Sequence, residues 1–127
     1  VGGLRGAYAK GMEITYWFEG VNKKFLGEFN RRVPDGSRIC MWPANPEYFQ
    51  FLQSRGKIKD TVIFYKPTAA IMSRQQNPAA REMYPDYFIL IPRLSEFTAL
   101  HRKILADCIP LIANEFDGVP LVLLYRW

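Results

Sequence analysis

Glu13, Tyr16, Trp17, Phe18 and Glu19 set two carboxylates beside three aromatic rings in one short stretch. Such a group suits a sugar. Rings stack on the apolar face of a pyranose while acids accept its hydroxyl hydrogen bonds. The same residues also have a structural reading: Tyr16, Trp17 and Phe18 anchor an N-terminal segment onto a domain, or sit at a membrane interface. Glu13, Tyr16 and Trp17 are therefore candidate substrate-binding residues. Arg93 is a fourth. It follows an apolar strand pattern, and α/β sheets bind ligands just outside the carboxyl ends of their strands. Its alternative is a plain surface arginine.

A catalytic set is hard to assemble. The chain has no GxSxG, no strand followed by GxGxxG, no P-loop and no HExxH. Any Ser-His or Cys-His scheme must use the single histidine, His101, which falls inside a helical pattern as a surface or half-buried residue. Cys40 and Cys108 lack metal-ligand spacing, and His101 cannot complete a site with them. They read as buried free thiols, or as a disulfide if the domain lies outside the cytoplasm. No metal, cofactor or catalytic residue is assigned. Asp117-Gly118 is turn chemistry.

These residues sit in a chain of 127, one domain by length. Hydrophobic residues make up 49% and aromatics 15%, which describes a packed domain and not a disordered tail. No apolar run approaches the roughly 20 residues needed to cross a bilayer. The net charge of +5 favours phosphates, of lipid or nucleic acid. However, Lys23-Lys24, Arg31-Arg32 and Arg102-Lys103 lie on the polar faces of helical patterns. No basic arm, zinc-finger spacing or RNP-like strand accompanies them, which argues against nucleic acid.

The positioning elements are legible. Residues 1–18 are rich in glycine and then in aromatics, and read as a connector. From about Glu19 to Arg32, Val21, Phe25, Leu26 and Phe29 share a helical face, and Pro34-Asp35-Gly36 ends the helix in a turn. Arg38 to Trp42 is a short strand. Asn45-Pro46-Glu47 starts a helix that Gly56 stops. Thr61 to Tyr65 is a second strand, its neighbour parallel. A short helix is expected over 78–84, after an exposed loop. Tyr87 to Ile91, apolar throughout, is expected at the centre of the sheet. Ser95 caps a helix with Phe97, Leu100, Ile104 and Leu105 inward. Leu111 to Phe116 and Val119 to Tyr125 form a hairpin around Asp117-Gly118, with Pro120 facing out or at a bulge. The fold class is α/β: a single Rossmann-like three-layer domain over 19–127, with a mixed sheet of about five strands ending in a β-hairpin.

The opening has no initiator Met and no signal-peptide pattern, and reads as a piece of a longer protein. Val1-Gly2-Gly3-Leu4-Arg5-Gly6-Ala7, Gly11-Met12-Glu13 and Tyr16-Trp17 resemble the stretch after the last transmembrane helices of polytopic GT-C glycosyltransferases. These are relatives of the dolichyl-phosphate-mannose–protein mannosyltransferases, including bacterial enzymes that use polyprenyl-phosphate sugars. Phe29-Asn30 with Pro34-Asp35-Gly36-Ser37-Arg38-Ile39 is similar to that family's turn into a strand. Pro85-Asp86-Tyr87-Phe88-Ile89-Leu90-Ile91 is similar to a later strand, and Phe116-Asp117-Gly118-Val119-Pro120 with Tyr125-Arg126 to its terminus. The chain departs at Phe18, where the family usually has Gly, and residues 67–84 have no counterpart.

The resemblance implies a soluble, extracytoplasmic C-terminal domain, periplasmic or cell-surface, of a membrane enzyme that transfers a sugar from a polyprenyl-phosphate carrier. Residues 1–18 would follow the parent's membrane region. The catalytic acid would lie upstream, so this chain alone would be inactive. The implied partners are the transmembrane region, a lipid-linked sugar, a glycan or protein acceptor, and an anionic membrane surface. The alternatives are a structural or protein-interaction module without a ligand, or an independent α/β domain binding a small molecule or polyanion.

Overall fold

The computed structural model describes residues 20–43, 45–66 and 84–127, apart from the side chain of Leu94. The expected connector over 1–18, and most of the expected helix over 78–84, lie outside the described residues.

Helix α1 spans Lys23–Arg32. It starts later than the apolar period suggests because Asn22 caps it: the Asn22 side chain accepts the Phe25 backbone N–H at 3.1 Å. Val33 leaves in extended conformation. A turn through Gly36, at φ +80°, delivers the chain to β1, Arg38–Trp42. Helix α2, Pro46–Ser54, begins as its sequence implies, with Pro46 at the first position and Glu47 in the first turn. Gly56, at φ +69°, turns the chain beyond it. Strand β2 is Ile63–Tyr65 and β3 is Tyr87–Leu90. A short 3-10 turn, Leu94–Glu96, precedes α3, Ala99–Asp107. The cap of α3 is Thr98, not Ser95. Strands β4, Ile112–Phe116, and β5, Val119–Arg126, close the fold as a hairpin.

The five strands lie in the order β2-β1-β3-β5-β4. β1 is parallel to both β2 and β3, while β5 is antiparallel to β3 and β4. The sheet is therefore mixed, with β3 at its centre. The hairpin register shifts between Asn114 and Glu115, and Pro120 faces Glu115 next to that shift. A residue without an N–H is tolerated at such a bulge.

Side chains of the inner strands alternate between two buried faces, which is why these strands read as continuous apolar runs. Ile39, Met41, Tyr87, Ile89, Ile91, Val122 and Leu124 point to the α1 and α2 face, against Phe25, Phe29 and Phe49. Cys40, Phe88, Leu90, Leu123 and Tyr125 point to the α3 face, against Ile104. The result is the expected three-layer α/β arrangement. At the open edge, α2 shields β2. Gln50 donates to the Phe64 carbonyl and Gln53 to those of Val62 and Lys59, so these edge acceptors are occupied. Among the described residues no helix is long and apolar enough to cross a membrane.

Candidate functional site

Successive strands in this sheet leave β1 in opposite directions. β1 is followed by β2 on one side, and β3 is laid down on the other. The crevice outside the carboxyl ends of β1 and β3 is thus a topological switch point, the place where open α/β sheets bind ligands. Trp42 and Leu90 are the paired last residues of the two strands. The backbone N–H of Ile91 donates to the Trp42 carbonyl at 2.9 Å, which holds both chains together as they leave the sheet. The Trp42–Pro43 peptide is cis.

Arg93 stands where its sequence position puts it, just beyond β3 and half-buried. Its backbone N–H donates to Ile91 and its carbonyl accepts from Glu96, so it forms the corner between β3 and the 3-10 turn. It also takes part in a further interaction, so it is not an idle surface cation. Glu13, Tyr16 and Trp17 lie outside the described residues.

Two other residues define this edge. Trp42 is half-buried and its indole N–H donates to the Glu96 carbonyl at 2.9 Å. His101 stacks on it, with ring centroids 4.9 Å apart and planes 14° from parallel. Phe88 stacks on His101 from the sheet at 6.2 Å, and Phe97 lies tilted against it at 5.6 Å. His101 is fully buried, not the surface or half-buried residue that its place in a polar-flanked helix suggests. The signal was present: 97, 100, 101, 104 and 105 follow the i, i+3, i+4, i+7, i+8 spacing of one helical face. The Nδ1 atom of His101 accepts the Thr98 backbone N–H at 3.0 Å, closing a capping box at the start of α3. Burial pushes the imidazole down to about 4, so the ring is neutral at physiological pH.

Cys40 and Tyr65 lie on the same face. Burial pushes the Cys40 thiol up to about 11, against a weaker lowering by its hydrogen bond with Tyr65. Burial likewise raises Tyr65, and Cys40 adds to the rise. A thiol this reluctant to ionise is a poor nucleophile at neutral pH. Cys40 and Cys108 are both free. Among the described residues no group of three or more His, Cys, Asp or Glu side chains could hold a metal ion.

The chain enters the described fold beside this same edge. The Gly20 carbonyl accepts a hydrogen bond from the buried Asn114 side chain. A Cβ on Gly20 would lie 2.7 Å from the Leu121 backbone, so only glycine allows this approach. In the β5 register, Leu121 lies beyond Leu123, the partner of the terminal Leu90 of β3, and so toward the carboxyl edge. No family model, no curated protein and no solved structure matches the chain.

The edge offers aromatic surface at Trp42, a cation at Arg93 and the entry of the N-terminal segment. Among the described residues at this edge, His101 spends Nδ1 on a helix cap and burial disfavours the thiolate of Cys40.

Proposed function

We propose that this chain is the non-catalytic soluble C-terminal domain of a membrane glycosyltransferase that transfers a sugar from a polyprenyl-phosphate carrier. Its work is to aid acceptor binding or to cap the active site, on the extracytoplasmic side. The observation that carries this reading is a shared end. The segment that resembles the family's juxtamembrane stretch joins the domain at Gly20, beside the carboxyl edge where α/β sheets bind ligands. A binding edge turned toward the membrane region would meet a lipid-linked sugar or its acceptor. The net charge of +5 suits an anionic membrane surface and a polyprenyl phosphate. In this reading Trp17 and Tyr16 stack on sugar, Glu13 takes a hydroxyl, and Arg93 favours a phosphate or acidic group.

A titration of the 127-residue chain with a polyprenyl-phosphate analogue and with a manno-oligosaccharide, followed by calorimetry, tests it. Binding of either, weakened about tenfold by Trp17→Ala, supports the reading, since one stacked ring contributes roughly 1–2 kcal/mol. Absence of binding to both, with unchanged sugar transfer by a parent enzyme carrying Trp17→Ala and Arg93→Ala, would sink it. The second reading is a structural or protein-interaction module without a ligand. It is favoured by the engagement of Arg93 within the fold. It expects deletion of the domain to harm assembly while point changes at Glu13 and Arg93 do nothing.

A further inference from the structure

Among the described residues, Nε2 of His101 is the one buried side-chain nitrogen or oxygen without a hydrogen-bond partner. The geometry fixes why. Nδ1 accepts the Thr98 N–H, and the Thr98 hydroxyl also lies 3.0 Å from it. A neutral ring that accepts at Nδ1 carries its proton on Nε2. That N–H is the unpartnered atom, packed among Trp42, Phe88 and Phe97.

A second proton would enter at Nδ1. Two donors, Nδ1–H and the Thr98 N–H, would then face each other, and the capping box would open. Among the described residues, the cluster around the ring supplies no carboxylate side chain to absorb the charge. The titratable groups packed in this cluster are Cys40 of β1, Tyr65 of β2, Tyr84 before β3, Tyr125 of β5 and Cys108 after α3. No Asp or Glu side chain belongs to this cluster. On the helix and turn themselves, Arg102 and Lys103 are exposed cations and Arg93 is a half-buried one. Glu96 is exposed and meets Trp42 through its backbone carbonyl. Stacking on Trp42 favours an imidazolium, whereas burial disfavours it.

We propose that His101 is an acid-sensitive latch that holds the start of α3 and the preceding turn against Trp42 at the carboxyl edge. At neutral pH the latch is shut: His101 caps α3 and Glu96 holds the Trp42 indole. Protonation removes the cap, frees residues 93–98 as a unit and uncovers Trp42 at the β1/β3 crevice. The latch goes beyond the glycosyltransferase reading and needs no ligand.

Nitrogen-15 NMR of the full chain tests it, with the His101 ring nitrogens and amide hydrogen exchange followed from neutral pH down through the folded value of about 4. The expected tautomer at neutral pH has the proton on Nε2. On acidification, Thr98 amide protection, corrected for intrinsic exchange, falls by about tenfold or more while α1 amides keep theirs. His101→Gln keeps a capping acceptor and carries no charge, so its Thr98 protection stays flat. A proton found on Nδ1 overturns the proposal. So does an equal loss at Thr98 in His101→Gln, or a simultaneous loss of protection in α1, which is global unfolding. If His101→Gln fails to fold, the wild-type tautomer and the comparison of Thr98 with α1 decide alone. The readout contains no sugar or lipid, so its failure is separate from failure of the binding reading.

Discussion

The two faces of the sheet are built from different materials. The α1 and α2 face is mostly hydrocarbon, with Met41 and Tyr87 its buried side chains that carry a heteroatom. Phe25, Phe29, Phe64 and Phe49 run in ring contact across it, with centroids 5.1 to 6.2 Å apart. At its margins Asn114 is paired with Gly20 and Gln53 with Val62. The α3 face carries heteroatoms inward, with Cys40, Tyr125 and His101 among its buried residues. A face of hydrocarbon can only hold the fold together. A face containing a neutral histidine beside the half-buried Trp42 at a strand end can also respond to conditions.

The largest expected effect lies on the first face. Phe29 is completely buried between Phe25 and Phe64. Phe29→Ala removes a ring and leaves a cavity, at a cost of about 3–5 kcal/mol. Chemical denaturation at neutral pH reads this directly. A cost below about 1 kcal/mol would mean that this face relaxes around the gap and is not the rigid partner described here.

Acid sharpens the contrast next. His101 is neutral and buried, and its folded value of about 4 lies below the 6.5 of an open chain. Between those values the unfolded chain binds a proton that the folded chain does not, so stability falls as pH falls through that window. The whole effect is about 3 kcal/mol as a ceiling, absent at pH 7 and complete below about 4. Denaturation midpoints from about pH 7 to pH 4 should fall in the wild type and fall less in His101→Gln. Equal slopes would show that carboxylates elsewhere dominate and that the α3 face is as inert as its opposite.

The sequence carried the frame and lost the details that arise only in three dimensions. Helical spacing at Phe25 and Phe29, the Asn45-Pro46 start, the apolar run at Tyr87 to Ile91 and the Asp117-Gly118 turn each encode a local choice, and each element forms. The place of Arg93 was legible because a strand's end is legible. Its engagement was not, since a side chain's partners are not written in its position along the chain. His101 followed the apolar spacing of its helix face, but a titratable residue between Leu100 and Arg102 reads as polar surface. Its burial depends on Trp42 and Phe88, which come from two other strands. Glu13, Tyr16 and Trp17 lie outside the described residues, so the sugar-platform reading rests on sequence. Gly20 could not have been singled out among the neighbouring glycines, because what demands it is the backbone at Leu121.

That close approach sets the third expectation. Gly20→Ala would force a Cβ to 2.7 Å from the Leu121 carbonyl carbon, where backbone must move. Overpacking of this kind costs about 1–3 kcal/mol. Gly27, on the solvent side of α1 with nothing near its would-be Cβ, is the control. Gly27→Ala should stabilise slightly, by about 0.5–1 kcal/mol, because alanine favours the helix. Thermal melts of the two variants should therefore move in opposite directions. If Gly20→Ala melts with the wild type, Gly20 is not held tightly against Leu121, and the shared end that supports the membrane-facing reading disappears.

The smallest effect tests whether the margin of the hydrocarbon face is guarded by design or by accident. Gln53 reaches from α2 to the Val62 carbonyl at 2.8 Å and the Lys59 carbonyl at 3.2 Å. Both acceptors border β2, the edge strand, and Ile63 beside them is half exposed. Gln53→Ala loses about 1 kcal/mol of net hydrogen bonding, since water can replace the donor at an edge. Its second consequence is larger in kind: the Val62 carbonyl just before β2 then lies free next to an exposed isoleucine, which is a template for strand addition. The variant should stay monomeric when dilute and show a new, concentration-dependent association in sedimentation. Adding Ile63→Lys should abolish that association without restoring the lost stability, because charge on an edge strand blocks pairing but supplies no donor to Val62. Association that persists with Lys at 63 would place the sticky surface elsewhere, most plainly at Phe116 on the opposite edge, which is 64% exposed.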